Sequence, residues 1–224
     1  MNIYIVIAAY NEEKSIVNVI KSLKKEGYHN IVVVDDGSED KTYEICKKQG
    51  IYALKHAINR GQGAALKTGI DFALEEGADM IVTFDADGQH KADEIKRLTT
   101  PIEKGEVDVC LGSRFLDNKT KVPPMKKLTL KAGILFTKIF SGIKLTDTHN
   151  GFRAFSRKAA EKIKITQDRM EHASEIIDEI AKKHIKFKEV PVTIIYSEYA
   201  KAKGQSIFNS IKIVLKLVIS KLAR

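Results

Sequence analysis

Met80–His90 runs MIVTFDADGQH. Ile81, Val82, Thr83 and Phe84 are apolar and β-prone, the composition of a buried strand. The run leads straight into Asp85 and Asp87 and a turn at Gly88. Two carboxylates two residues apart, just past a strand end, point the same way once the chain turns. Oxygen ligands at that spacing suit a hard divalent cation that keeps positions open for water and phosphate. A transferred diphosphate needs such a cation, because its leaving group develops negative charge. A solvated acidic turn has the same sequence, so the other strand ends decide between the two.

Outward from this stretch the same unit recurs. Asn2–Ala9 precedes Tyr10-Asn11-Glu12, and Asn30–Val34 precedes Asp35-Asp36-Gly37-Ser38. Ile51–Ala57 precedes Asn59-Arg60-Gly61-Gln62-Gly63, and Val107–Leu111 precedes Gly112-Ser113-Arg114. Helical periods separate them: Glu12–Lys25 with Ile16, Val19, Ile20 and Leu23 on one face, Lys41–Gln49, Ala64–Glu76, and Ala92–Lys104 interrupted at Pro101. Strands apolar on both faces, alternating with helices, predict an α/β fold. The sheet is mostly parallel and Rossmann-like, with helices on both faces. Ligands of such sheets bind beyond the carboxyl ends of the strands. Turn chemistry explains each polar cluster singly, but not the recurrence of carboxylates and arginines along one edge.

After Arg114 the pattern changes. Lys126–Ile143 reads as an amphipathic helix, Asp147–Ser156 (DTHNGFRAFS) is dense in polar and aromatic groups, and Arg169–Lys183 is helical. Phe187–Tyr196 reads as a strand, and Ser206–Ala223 as a last amphipathic helix. The expected division is one domain over 1–205 and a C-terminal amphipathic helix over 206–224.

The net charge of +9 is concentrated. Residues 119–146 hold seven lysines and no acid, residues 181–224 are net +8, and the remainder is net acidic. Apolar helix faces flanked by lysines suit an anionic membrane surface; packing on the sheet, with the lysines in solvent, suits them too. No signal peptide precedes the first strand, and no stretch reaches 18 uninterrupted apolar residues. Cys46 and Cys110 have no metal-ligand spacing and read as ordinary thiols of a reducing compartment.

The co-linear stretches AAYNEE (8–13), VVVDDGSED (32–40), NRGQGAALKTGI (59–70), TFDADGQH (83–90), LGSRF (111–115), DTHNGFRAFSR (147–157), HASEIIDEI (172–180) and EVPVTIIYSEYAKAKGQS (189–206) resemble the inverting GT-A glycosyltransferases of family 2. Within that family the likeness is to dolichyl- or polyprenyl-phosphate sugar synthases. The resemblance implies a metal-dependent hexosyltransferase. Its nucleotide sugar, of GDP-mannose or UDP-glucose type, would meet Ala9, Tyr10, Asn11, Glu12, Asp35, Asp36, Arg60, Gly63, Asp85 and Ala86. Mg2+ or Mn2+ would be held by Asp85, Asp87 and Gln89. Asp87, Arg114, Arg153 and Glu175 are the expected catalytic positions, and Lys126, Lys131, Lys203, Gln205 and Ser206 the acceptor side. Family members usually carry proline where Ala9 stands, and arginine is common where the acceptor-side helix here carries lysine.

The acceptor decides whether a base is needed. A sugar or protein hydroxyl must lose a proton to a carboxylate or histidine, for which Glu175, Asp178 and His172 are candidates. A lipid phosphate is already an anion (second pKa about 6) and needs cations instead, best an arginine fork. The expected acceptor is a polyprenyl or dolichyl phosphate, and the expected location is peripheral, at the cytoplasmic face of the cell membrane. The alternative is a glycan hydroxyl in cell-surface polysaccharide assembly. A nucleic-acid-binding module would use the basic stretches but leaves Asp35, Asp36, Asp85 and Asp87 unexplained, so nucleic acid is not an expected partner.

Overall fold

In a computed structural model, β1 (Ile3–Ala9), β2 (Ile31–Asp35), β3 (Tyr52–Lys55), β4 (Met80–Thr83), β5 (Val109–Ser113), β6 (Arg153–Ser156) and β7 (Phe187–Pro191) form one sheet. Residues 1–117, 120 and 122–196 are described, apart from the side chains of Met125, Lys126 and Phe136. The strand order is β3-β2-β1-β4-β6-β5-β7, which puts β4, the strand of the Met80–His90 stretch, at the centre. The expected helix over 206–224 lies outside the described residues, as do Lys203, Gln205 and Ser206.

The alternation of side chains along each strand explains why both faces had to be apolar. Ile5, Ile7, Ile31, Val33, Met80 and Val82 point into one core. Tyr4, Val6, Val32, Val34 and Ile81 point into the other. The first core is closed by α1 (Ile16–Lys25), α2 (Thr42–Lys47) and α4 (Ile95–Glu103) through Ile16, Ile20, Leu23, Cys46, Ile95 and Leu98. The second is closed by α3 (Gln62–Glu75), α6 (Arg157–Lys162) and α7 (His172–Lys182) through Leu66, Ile70, Ala159, Ile176 and Ile180. α5 (Pro124–Ser141) lies outside these two layers and meets α7. Pro101 sits inside α4 near its end and does not break it. There the missing N–H costs one hydrogen bond of the last turn.

β1, β2, β3 and β4 pair parallel, as expected from the crossovers. β6 was not foreseen: it runs antiparallel between β4 and β5. It has four residues and begins on an arginine, so by itself it carries no strand pattern. Its apolar Ala154 and Phe155 are recruited by neighbours on either side. The insertion has a consequence for the site. Because β6 is antiparallel, its starting end lies at the edge where β1, β2, β4 and β5 finish. The loop before Arg153 is thereby brought beside Asp85.

Candidate active site

At the finishing edge the turns after β1 and β2 are locked together. Asn11 stands in the left-handed region at φ 53. Its N–H donates to Ser38 Oγ at 2.9 Å, and its Oδ1 accepts from Glu39 N at 2.9 Å. The Glu12 N–H donates to Thr42 Oγ1 at 2.8 Å, and the buried Glu12 carboxylate accepts from Ser15 Oγ at 2.6 Å. Ala9 is buried beneath them and its carbonyl accepts from Asp36 N, while Tyr10 is exposed on the rim.

The carboxylate of Asp36 is largely committed inside the protein. Oδ1 accepts from Arg60 N at 3.0 Å and pairs with His56 Nδ1 at 2.7 Å, and Oδ2 accepts from Gly61 N at 2.6 Å. His56 is itself held by Thr68 Oγ1 at 3.0 Å. A carboxylate has about four acceptor positions, so one remains, on Oδ2. Asp35 accepts from Ser38 through Oδ1, and its buried Oδ2 has no hydrogen-bond partner; Lys55 Nζ stands 4.0 Å away. His56 was not singled out from sequence, since a lone histidine outside a motif gives no signal; its role comes from folding back on Asp36.

The glycine turn serves packing more than ligand. A Cβ on Gly63 would meet the Gln167 carbonyl oxygen at 2.1 Å and His172 Cβ at 2.8 Å. The loop before α7 thus crosses the start of α3, and Arg60 reaches Asp168 at 3.4 Å. Gly63→Ala is expected to cost about 1–3 kcal/mol, read as a lower urea midpoint. An unchanged midpoint would show that the loop gives way freely.

Asp85 follows β4 with its oxygen against Gly151, where a Cβ would stand 2.8 Å from Oδ1. The Asp85 N–H donates to His90 Nδ1 at 3.2 Å. That leaves the His90 proton on Nε2, which faces Asp85 Oδ2 at 3.3 Å. The His90 ring stacks on Phe152 at 4.7 Å and meets Phe84 edge-on at 5.2 Å. Burial pushes its pKa down to about 4, so it is neutral at physiological pH. Asp87 accepts from Gln89 N at 3.0 Å and from Gln89 Nε2 at 2.5 Å. Gln89 therefore aims Asp87. Gln62 Nε2 lies 3.5 Å from Asp85 Oδ1, and Ala86 is buried between the two acids.

Both carboxyls are held above their ordinary range. Burial pushes Asp85 up to about 6, against the pull of Arg114 and Arg153. Burial and then the Asp85 charge push Asp87 up. Two desolvated carboxylates that repel each other are relieved by a divalent cation. Among the described residues no cluster of three or more His, Cys, Asp or Glu could hold a metal. A cation on these two carboxylates alone would have to take its remaining oxygens from phosphate and water.

Arg114 and Arg153 are both buried here, and both are tied down. Arg114 Nε donates to Asp147 Oδ2 at 2.6 Å, Nη2 to the His149 carbonyl at 3.0 Å and Nη1 to Tyr196 Oη at 3.1 Å. Arg153 donates to the carbonyls of Asn150 (3.0 Å) and Ala173 (3.1 Å), and burial lowers its pKa to about 10, so it stays protonated. Asp147 is placed by Glu189, which accepts from the N–H groups of Thr146 and Asp147. Sequence reading missed Asp147 and Glu189, because single acids far apart in the chain show no pairing.

The expected Glu175 is engaged away from this cluster. Glu175 accepts from Thr166 N and Gln167 N, both at 2.9 Å, and staples the loop that crosses α3. Its carboxylate is engaged by that task, and one oxygen of Asp178 accepts from Ser141 Oγ. Lys131 is exposed on α5, and the side chain of Lys126 lies outside the described ones.

The profile of glycosyl transferase family 2 matches residues 4–164. A UDP-N-acetylglucosamine–dolichyl-phosphate N-acetylglucosaminyltransferase of Methanococcus voltae is 38% identical over 243 residues, 99% of this chain and 97% of that protein. An uncharacterised protein of Methanocaldococcus jannaschii is 46% identical over 225 residues, 98% of this chain and 92% of that one. A polyprenol monophosphomannose synthase of Mycolicibacterium smegmatis is 29% identical, covering 72% of this chain and 64% of that protein. In fold the chain is similar to glucosyl-3-phosphoglycerate synthase of Mycobacterium tuberculosis, solved with Mn2+ and UDP-glucose. That match has a TM-score of 0.75 at 17% identity and covers 98% of this chain and 78% of that one.

Proposed function

Given that the chain belongs to glycosyl transferase family 2, we propose that it moves a sugar from a nucleoside-diphosphate donor to a polyprenyl or dolichyl phosphate, with inversion, at the cytoplasmic face of the membrane. One observation carries the choice of acceptor. Two buried guanidiniums, Arg114 and Arg153, lie close enough to Asp85 to pull its pKa down, while Glu175, the carboxylate expected at the catalytic centre, is engaged by the Thr166 N–H and hydroxyl and the Gln167 N–H. Positive potential beside Asp85, with Glu175 so engaged, suits an acceptor that is already an anion.

The chemistry then divides among residues of the chain. The remaining lone pair of Asp36 accepts from the base or ribose. Asp85 and Asp87, aimed by His90 and Gln89, would hold Mg2+ or Mn2+ for the donor diphosphate. When bound, that cation supplies Lewis acidity to the leaving group. The Arg114–Asp147–Arg153 network orients the 147–151 loop and lends its charge to the acceptor phosphate. An oxygen of that phosphate bonds to the anomeric carbon as the bond to the diphosphate oxygen breaks, and the nucleoside diphosphate departs. The 38%-identical relative, named for UDP-N-acetylglucosamine, makes that donor a required arm beside GDP-mannose and UDP-glucose.

The test is transfer of labelled sugar from each donor into the organic phase, with a short polyprenyl phosphate and Mn2+ or Mg2+. Label is expected from one donor only, and none with chelator. If a nucleotide sugar binds but no label moves to any lipid phosphate, the acceptor assignment is overturned.

A further inference from the structure

α5 faces the wrong way for a soluble helix. Its inner side is fixed by Leu130, Gly133 and Thr137, which are buried, and by Ser141, which donates to Asp178 on α7. Gly133 lies so close to the His149 ring that a Cβ would meet it at 2.4 Å. At 100° per residue the opposite side carries Leu128, Ala132, Leu135 and Ile139, an i, i+4, i+7, i+11 stripe. It is about 16 Å long at 1.5 Å per residue. Leu128 is 66% exposed, Leu135 57% and Ile139 67%. Lys127, Lys131 and Lys138 are exposed in a row along one flank of this stripe, and Lys144 is exposed just beyond the helix. No acid occurs anywhere between residues 119 and 146.

We propose that this outward face of α5 docks on the surface of an anionic lipid bilayer, with the apolar stripe in the headgroup–acyl boundary and the lysines on the lipid phosphates. The proposal rests on the lipid-phosphate reading above and adds to it the surface and its orientation. Charge selects this occupant. A second copy would bring like-charged lysine rows together, and the chain's own segment 197–224 is itself lysine-rich. Position agrees with it. α5 is seated on His149, whose carbonyl holds Arg114, and the next two residues, Asn150 and Gly151, lead to Asp85. A bilayer under α5 therefore adjoins the side of the site where a lipid-borne phosphate would enter.

The experiment is sedimentation of the full chain with vesicles of phosphatidylcholine containing 30% phosphatidylglycerol, against pure phosphatidylcholine. It is run for wild type, for the triple variant Leu128→Glu, Leu135→Glu, Ile139→Glu, and for Lys127→Glu, Lys131→Glu, Lys138→Glu. All six side chains are exposed, so melting temperatures should hold. Wild type is expected to prefer the anionic vesicles, and each triple variant to lose about tenfold or more in partitioning. Partitioning unchanged in both variants would place any anchor elsewhere, 197–224 included, and overturn the proposal. So would a wild-type dimer that the Leu/Ile variant dissolves without any vesicle binding. Sugar transfer in detergent is scored separately. If no lipid phosphate is glycosylated but vesicle binding still depends on α5, the proposed function fails and this surface stands.

Discussion

Asp85→Asn is expected to abolish sugar transfer and, in chelator at pH 7.5, to raise the melting temperature. Both effects come from one carboxylate. On the proposed mechanism, removing one of the two carboxylates meant for the cation withdraws charge stabilisation from the leaving diphosphate. That is about 4 kcal/mol of barrier, or roughly a thousandfold in rate. The stability effect follows from burial, which lifts the Asp85 pKa from 3.8 to about 6. A carboxyl whose folded pKa lies above its unfolded value binds its proton more tightly when folded. The ionised form therefore costs stability at all pH values above about 6, and the cost disappears as pH falls toward 4. The shift corresponds to about 3 kcal/mol. The side chain is 30% exposed, so solvent screening reduces this to about 1–2 kcal/mol. Asparagine keeps the shape and an acceptor for His90 Nε2 while removing the charge. A gain of about 3–6 °C is expected at pH 7.5 for a chain of this size, and about half that gain at pH 5, where the folded Asp85 is protonated but its unfolded counterpart is still ionised. Melts of both proteins at the two pH values decide it. A lower melting temperature for the variant at pH 7.5 would mean that the bond between His90 and Asp85 outweighs the desolvation.

Asp147→Ala should be the most damaging substitution for the fold. Asp147 is buried, its Oδ2 accepts both the backbone N–H and Nε of Arg114, and Arg114 is buried too. Truncating the acid leaves a guanidinium in the interior with its main countercharge gone, a cost of about 3–5 kcal/mol. At about 2–4 °C per kcal/mol, the melting temperature should fall by roughly 10 °C. Adding Arg114→Met to Asp147→Ala removes the stranded charge. The double variant should recover at least about 2 kcal/mol relative to Asp147→Ala alone. Denaturant unfolding of the four proteins of this cycle measures the coupling. A loss below about 1 kcal/mol for Asp147→Ala would show that water reaches Arg114.

Asp147 also marks how far the site could be read without the fold. The acids after β2 and β4 were legible, because a strand that ends in carboxylates is a local pattern. Their partners were not. Arg114 finds Asp147, Asp36 finds His56 and Gly61, and Glu175 finds Thr166 and Gln167. Each pairing depends on which loops the sheet order brings together. Glu175 and Asp178 share a helix face in sequence, as candidate bases would. Only the packed loop beside Glu175 shows that its oxygens already hold Thr166 and Gln167.

The amino-acid sequence by itself determined the mostly parallel α/β sheet and the family, because apolar runs, helical periods and co-linear motifs are local and additive. Tertiary structure alone decided three things: that β6 enters antiparallel and delivers Gly151 to Asp85, that buried arginines are held by distant carbonyls and acids, and that α5 turns Leu128, Leu135 and Ile139 outward and Leu130 inward. Periodicity states that a helix has an apolar side. Which side meets the core is set by close approach elsewhere, here Gly133 against His149, and that contact is written in no single stretch of the chain.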